Sequence, residues 1–208
     1  MSSLIHASDV EYFGTGVRNR WPSNFALVDG GILIDGRLWP STEHFFQAWH
    51  KVAAQDRHRL EVGGDLDSLQ ALKLLFGPEV GAKEMKKWTF KDGQGEAVVC
   101  VGIVAKMLTK KKHNDMLTKP LKLETREVAL EEHKAVWTMI LMAKLDACPP
   151  FRKALQASGN KMLVEFDRHA KAKSARGSPP FWTGMVKDGV LYGHNFMGSL
   201  MMEIRAVM

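Results

Sequence analysis

The chain has 208 residues, 45% apolar and 25% charged, which excludes wholesale disorder and supplies material for a sizeable core. No apolar run approaches the ~20 residues that cross a bilayer, and residues 1–9 do not read as a secretory leader. Cys100 and Cys148 are too few and too far apart for a disulfide scaffold or a Cys-rich zinc site, so a reducing, cytoplasmic setting is expected, while the formal charge of +6 favours anionic partners such as nucleotides or nucleic acid.

Residues 25–28 and 32–34 are short β-rich runs on either side of Asp29-Gly30-Gly31, a hairpin signal, and a second turn follows at Asp35-Gly36. Ser41 or Thr42 caps a helix over 41–54, with Glu43 at its positive end and Phe45, Phe46, Trp49, Val52 and Ala53 spaced for burial. Glu43, Gln47 and His50 fall at i, i+4 and i+7, along one polar stripe. One or two short helices span 57–88, with Leu69, Leu72 and Leu75 on one face and a stop at Phe76-Gly77-Pro78.

From 89 to about 130 the character changes. A turn-rich, β-branched stretch leads into Lys106, Lys110, Lys111, Lys112, Lys119 and Lys122, which reads as an insertion away from the core. Its lysines suit either a solvated face or a nucleic-acid contact. A strong helix over 131–147 should turn Val136, Met139, Ile140 and Ala143 inward, with Lys144 bordering that face. Then follow a short helix over 151–157, a strand over 161–166, a flexible basic loop over 170–180 and a closing helix after Gly198. No internal repeat and no second domain is apparent, so a single α+β domain is expected.

The common catalytic signatures are absent: no HExxH, P-loop, GxSxG or strand-borne GxGxxG, and the eight histidines lack metal-ligand spacing. The informative cluster is Trp39-Pro40-Ser41-Thr42-Glu43-His44. A carboxylate in a helix's first turn beside aromatic rings can act as a base or stabilise a cation, or can simply complement the helix dipole. Glu165, a charge inside a strand, and Phe181-Trp182 with Asn195 nearby could equally serve a ligand or the fold.

Taken together these places resemble the YbiA-like, or NADAR, family. The matching blocks are Ser23-Asn24-Phe25; Asp35 to Ala48 with Lys51 following; Trp88; Ala143-Lys144-Leu145; Leu163-Val164-Glu165; Trp182-Thr183-Gly184; and Gly193 to Arg205. They occur in family order over roughly 21–88 and 131–206. The resemblance implies a compact, helix-rich α+β domain without a required metal or cofactor. The implied activity is hydrolysis of a ribosyl–nitrogen bond, in riboflavin-pathway ribosylamino-pyrimidine phosphates or in ADP-ribosylated guanine of nucleic acid. The site carried over comprises Asn24, Trp39, Glu43, Gln47, Lys144, Glu165, Trp182 and Asn195, to which Trp88 adds a matching position.

The chain departs from the pattern at Gly77-Pro78, where the family has Gly-Arg, and at Thr183, which replaces a glycine. It also lacks a clear aspartate ahead of Trp182, and residues 89–130 match nothing in compact members. Glycosidic cleavage needs a carboxylate near the sugar C1′ and a donor near the departing nitrogen. Glu43 takes the first role and Lys144 contacts phosphate or assists the leaving group. Trp39 and Trp182 stack on base or ribose, Asn24, Gln47 and Asn195 read polar edges, and Arg20 and Arg205 bind phosphate, unless Arg205 instead pairs with an acidic neighbour. ADP-ribosyl-guanine hydrolysis is the preferred activity, the riboflavin-type reaction its rival. The altered positions suit a third reading, a non-catalytic ADP-ribose or nucleotide binding module.

Overall fold

The computed structural model describes residues 4–14, 23–91, 95 and 97–208. They form a helix-rich α+β structure whose strands, among the described residues, pair only in twos. The chain divides into two compact units, Asn24–Cys148 and a second made of Met1–Ser23 with Pro149–Met208. No helix among the described residues is long and apolar enough to cross a membrane. Arg20 lies outside the described residues.

Strand β1 (Val10–Phe13) belongs to the second unit. The first unit opens with β2 (Ile32–Ile34) and β3 (Arg37–Trp39), antiparallel across Asp35-Gly36. Both turn residues have positive φ, 51° and 73°, the two-residue geometry that matches strand twist. The hairpin expected around 29–31 is therefore displaced by one turn. Residues 25–28 form no strand; the Leu27 amide donates to Val99 O at 2.7 Å and the Val28 amide to Pro40 O at 3.0 Å.

Helix α1 (Thr42–Lys51) starts where Ser41 accepts from the His44 amide, a cap worth about 1 kcal/mol. It stops three residues short of the expected end because β-branched Val52 turns extended and pairs with Leu123. Phe45, Phe46, Val52 and Ala53 are buried as expected, and Trp49 is half-buried. Helices α2 (Ala71–Phe76) and α3 (Pro78–Lys87) meet at Gly77, with Pro78 at the first helical position, where its missing N–H costs nothing.

Residues 89–130 overturn the expectation of an excursion. Strands β4 (Thr89–Lys91) and β5 (Ala97–Val99) form a hairpin, and helices α4 (Gly102–Leu108) and α5 (Lys111–Asn114) follow. Val98, Cys100, Val101, Val104, Ala105, Leu108, Leu117 and Leu121 are all buried, and α4 packs on α1. Close packing depends on Gly102: a Cβ there would lie 2.8 Å from the Cβ of Glu43 and from the Cα of Phe25. After α5 the chain is clamped by Asn114, whose side-chain amide donates to Leu121 O at 2.7 Å while its oxygen accepts from the Leu121 amide at 2.8 Å.

Helix α6 (Leu130–Ala147) packs on α1 and β2. Its buried stripe is Trp137, Ile140, Leu141, Lys144 and Leu145, rotated from the expected one; Met139 is exposed and Val136 and Ala143 only half-buried. Packing chose the larger apolar surface of Trp137 and Leu141 over the smaller residues. Lys144 thus does not border the core face but lies within it, with no exposed surface.

In the second unit, Pro149 and Pro150 open α7 (Pro149–Ala157), and β6 (Met162–Glu165) runs parallel to β1, pairing Leu163 with Glu11 and Glu165 with Phe13. Residues 170–180 are not a loop throughout: α8 (Ala170–Ala175) buries Ala170, and Lys173 reaches Asp167 at 2.7 Å. The hairpin β7 (Met185–Lys187) and β8 (Val190–Tyr192) precedes α9 (Phe196–Arg205), which packs on β6 and α7. Gly198 admits that approach, since a Cβ there would meet Leu163 O at 2.1 Å.

Candidate functional site

Asn24 fixes the start of α1. Its backbone oxygen accepts from the Glu43 amide and from the Thr42 hydroxyl, each at 3.0 Å. Glu43 is thereby locked into the first helical turn, only 5% exposed. One turn on, Gln47 donates through Nε2 to Glu43 Oε1 at 2.8 Å, while its own oxygen accepts from the Thr109 hydroxyl at 2.7 Å. The result is a directed chain, Thr109 to Gln47 to Glu43, that leaves the carboxylate one orientation.

Burial pushes the Glu43 carboxyl above its ordinary range, opposed by attraction from Lys106, the Gln47 bond and Lys51. Lys51 belongs to the same helical stripe, at i+8 from Glu43. Burial lowers its affinity for a proton; Glu43 restores some of it, and Lys106 and Lys110 oppose that. Lys106 also sits 4.9 Å over the Phe25 ring. One buried carboxylate thus lies in the field of two lysines, Lys106 and Lys51, a setting suited to anionic ligands. His50, placed on this stripe by spacing, instead stacks on Phe46 and meets the His133 ring at 5.5 Å.

The other expected residues of this unit lie in different settings. Trp39 is buried and packs edge-on against Phe45, with centroids 5.4 Å apart. Phe45 and Glu43 project from opposite sides of α1, so Trp39 does not join the Glu43 stripe. Trp88 is half-buried beside Phe90, its carbonyl accepting from the Cys100 amide at 2.8 Å. Lys144 sits in the buried stripe of α6.

In the second unit, Asn195 is wholly buried in the left-handed conformation, φ 51°. Its side chain is bound to strand β6: Nδ2 donates to Leu163 O at 2.8 Å and Oδ1 accepts from the Glu165 amide at 3.1 Å. It acts as a staple that sets Glu165, which is half-buried. Trp182 closes an aromatic cluster with Phe181 at 4.9 Å and Phe196 at 5.3 Å. Arg205 donates to the Ser158 hydroxyl at 2.6 Å and to Lys161 O at 2.9 Å, ordinary helix-end anchoring. Asp167 holds Lys173, the His169 amide and the Thr183 hydroxyl; these outweigh burial and keep its carboxyl below the usual range.

Lys51, Lys106 and Thr109 were missed as site residues by sequence reasoning. A signal existed: Val101, Ala105 and Leu108 recur at helical spacing, marking α4 as a core helix that would carry its neighbours to α1. Among the described residues no group of three or more His, Cys, Asp or Glu side chains gathers to hold a metal. No family model matches the chain, and neither a curated protein nor a solved structure does.

Proposed function

We propose that the chain is an N-glycosidase of the YbiA-like, or NADAR, kind, with ADP-ribose on guanine in nucleic acid or nucleotides as its preferred substrate. The Glu43 arrangement supports this reading: a carboxylate oriented by Gln47 and Thr109, buried, and attended by Lys51 and Lys106. As the C1′–N bond breaks, positive charge grows on the ribose, and a fixed carboxylate in a poorly solvated place stabilises it strongly. Glu43 also orients the water whose oxygen bonds to C1′ and takes its proton, while the bond electrons leave with the base nitrogen, which must be protonated in turn. Lys51 and Lys106 favour the ionised form of Glu43 against burial and attract the diphosphate. In this reading Lys144 contacts phosphate or assists the leaving group.

The deciding experiment incubates the protein with ADP-ribosylated DNA and measures release of free ADP-ribose. Release with turnover supports the proposal. Binding without release converts the reading to a binding module, and hydrolysis confined to a ribosylamino-pyrimidine phosphate moves the substrate to the riboflavin type.

Replacing Thr109 by Val keeps shape and removes the hydroxyl. The Gln47 oxygen then loses its donor in a buried place, a cost of about 1–3 kcal/mol. We expect kcat to fall about tenfold with KM little changed, and Ser at 109 to restore it. Equal kcat in Val and wild-type proteins would disconnect Thr109 from Glu43.

The lysine-rich segment makes a separate prediction. Lys111 and Lys112 are exposed, although Lys111 pairs with Asp115 at 2.7 Å. If they neutralise phosphates of a strand, changing both to Ala raises KM for modified DNA but not for an ADP-ribosylated mononucleoside. The slope of log affinity against log salt then falls by roughly 0.7–0.9 for each phosphate lost. An unchanged salt slope returns both lysines to solvated surface.

A further inference from the structure

The face of α1 opposite Glu43 carries a cavity of its own. Residues 43, 47 and 51 follow one stripe, and Phe45 and Trp49 project from the other side. Their rings, together with Trp39, wall a cavity of about 140 Å³ whose rim carries Asp35, Arg37 and Arg57. An apolar cavity of about 150 Å³ accepts a benzene-sized ring, so this one has room for a single planar ring.

Two arginines against one carboxylate, Asp35, give its lining a net positive charge. Arg57 is held by its Nε, which donates to Val52 O at 3.0 Å, a bond that leaves the two terminal nitrogens of the fork for another acceptor. Arg126 lies 4.8 Å over the Trp49 ring, and Arg37 pairs with Glu61. Arg126 and Arg37 stand close enough to Arg57 that, after burial, their charges are the main reason its guanidinium holds its proton less firmly.

We propose that this cavity is a second binding site, for a pyrimidine nucleoside monophosphate unit whose ring lies against Trp39, Phe45 and Trp49 and whose phosphate meets Arg57 and Arg37. The shared chemistry, one planar heterocycle and one phosphate, could be supplied by a free mononucleotide or by a nucleotide of a strand. The site does not depend on the glycosidase reading, since it uses none of Glu43, Gln47, Thr109 or Lys144.

The test titrates full-length protein labelled with fluorotryptophan, following fluorine NMR signals assigned by single Trp-to-Phe changes. The probes are UMP, uridine, inorganic phosphate and a short unmodified pyrimidine oligonucleotide. UMP should shift the Trp39 and Trp49 signals saturably, and uridine should bind about tenfold more weakly for want of the charge-assisted bonds to arginine. Arg57→Gln should weaken UMP by about tenfold and Arg57→Lys by less, with thermal melts confirming that both variants fold. Saturable shifts of the same two signals by the oligonucleotide, tighter than by UMP, assign the phosphate to a strand; weaker ones assign it to the free nucleotide. Shifts restricted to other tryptophans, or Trp39 and Trp49 shifts unaltered in Arg57→Gln, overturn the site. Neither readout involves turnover, so loss of the glycosidase reading would leave the result standing.

Discussion

Glu43→Gln should lower kcat by about 10²–10⁴-fold while raising the melting temperature at neutral pH. The two effects share one cause. Burial holds the Glu43 carboxyl above its ordinary 4.5, so the folded state binds that proton more tightly than the unfolded chain does. Stability is therefore lost as pH rises from 4.5 through the folded pKa, and the cost is complete above it. Gln keeps the oxygen that accepts from Gln47 and removes the charge, returning the stability that ionisation costs. The gain should vanish near pH 4. Lys106 lowers the Glu43 pKa, so Lys106→Met should move the acid limb of the pH–rate profile to higher pH. A Gln variant with full kcat, or one that melts lower than wild type at pH 7.5, contradicts this account.

Acid unfolding should be governed to a large extent by His44. The imidazole is fully buried, with Nδ1 at 2.9 Å from the Ser41 hydroxyl, and burial lowers its pKa from 6.5 to about 3 against a small opposing effect of the Leu66 backbone. In the unfolded chain the ring takes a proton near 6.5 that the folded protein refuses. Its contribution is intact above pH 6.5 and is lost as pH falls toward 3, at up to 1.36 kcal/mol per unit. By pH 4 that amounts to roughly 3 kcal/mol, a large share of an ordinary stability of 5–15 kcal/mol. Half-buried His50 acts in the same direction, because burial and then His133, Lys51 and Arg126 lower its pKa. Urea titrations between pH 8 and 4 should therefore give a flatter stability profile for His44→Gln, even where that variant is less stable at pH 8. Parallel profiles would show that His44 is not the group that titrates.

Local rules carried the reading of the chain furthest where one residue decides the geometry. A cap at Ser41 or Thr42, a stop at Phe76-Gly77-Pro78 and a helix end before Pro149-Pro150 were legible because each satisfies or removes a specific backbone group; that these prolines also open α3 and α7 was not. The hairpin was misplaced because three turn residues at 29–31 outweighed two at 35–36, although only the pair has the twist that strands require. Lys144 and Asn195 were legible as positions but not as environments. Nothing local to 144 announces that a lysine will be enclosed when Trp137 and Leu141 turn inward, and the Asn195 staple depends on a strand 30 residues earlier. Charge density misled most. The lysines between 106 and 122 drew attention away from Val101, Ala105 and Leu108, whose burial on α1 places Thr109 and Lys106 beside Glu43.

The clamp made by Asn114 has a kinetic consequence for the segment it closes. A stretch carrying Lys110, Lys111, Lys112 and Lys122, with Lys119 shielded by Pro120, offers trypsin four cleavable bonds, yet a protease needs several residues of extended, detached backbone to seat any one of them. Both polar ends of the Asn114 carboxamide are tied to Leu121, Leu117 and Leu121 are buried, and Arg59 holds the Lys119 carbonyl at 2.8 Å. Cleavage must wait until these bonds open together, so the lifetime of the segment under digestion measures the opening free energy of the unit's interior rather than the exposure of its lysines.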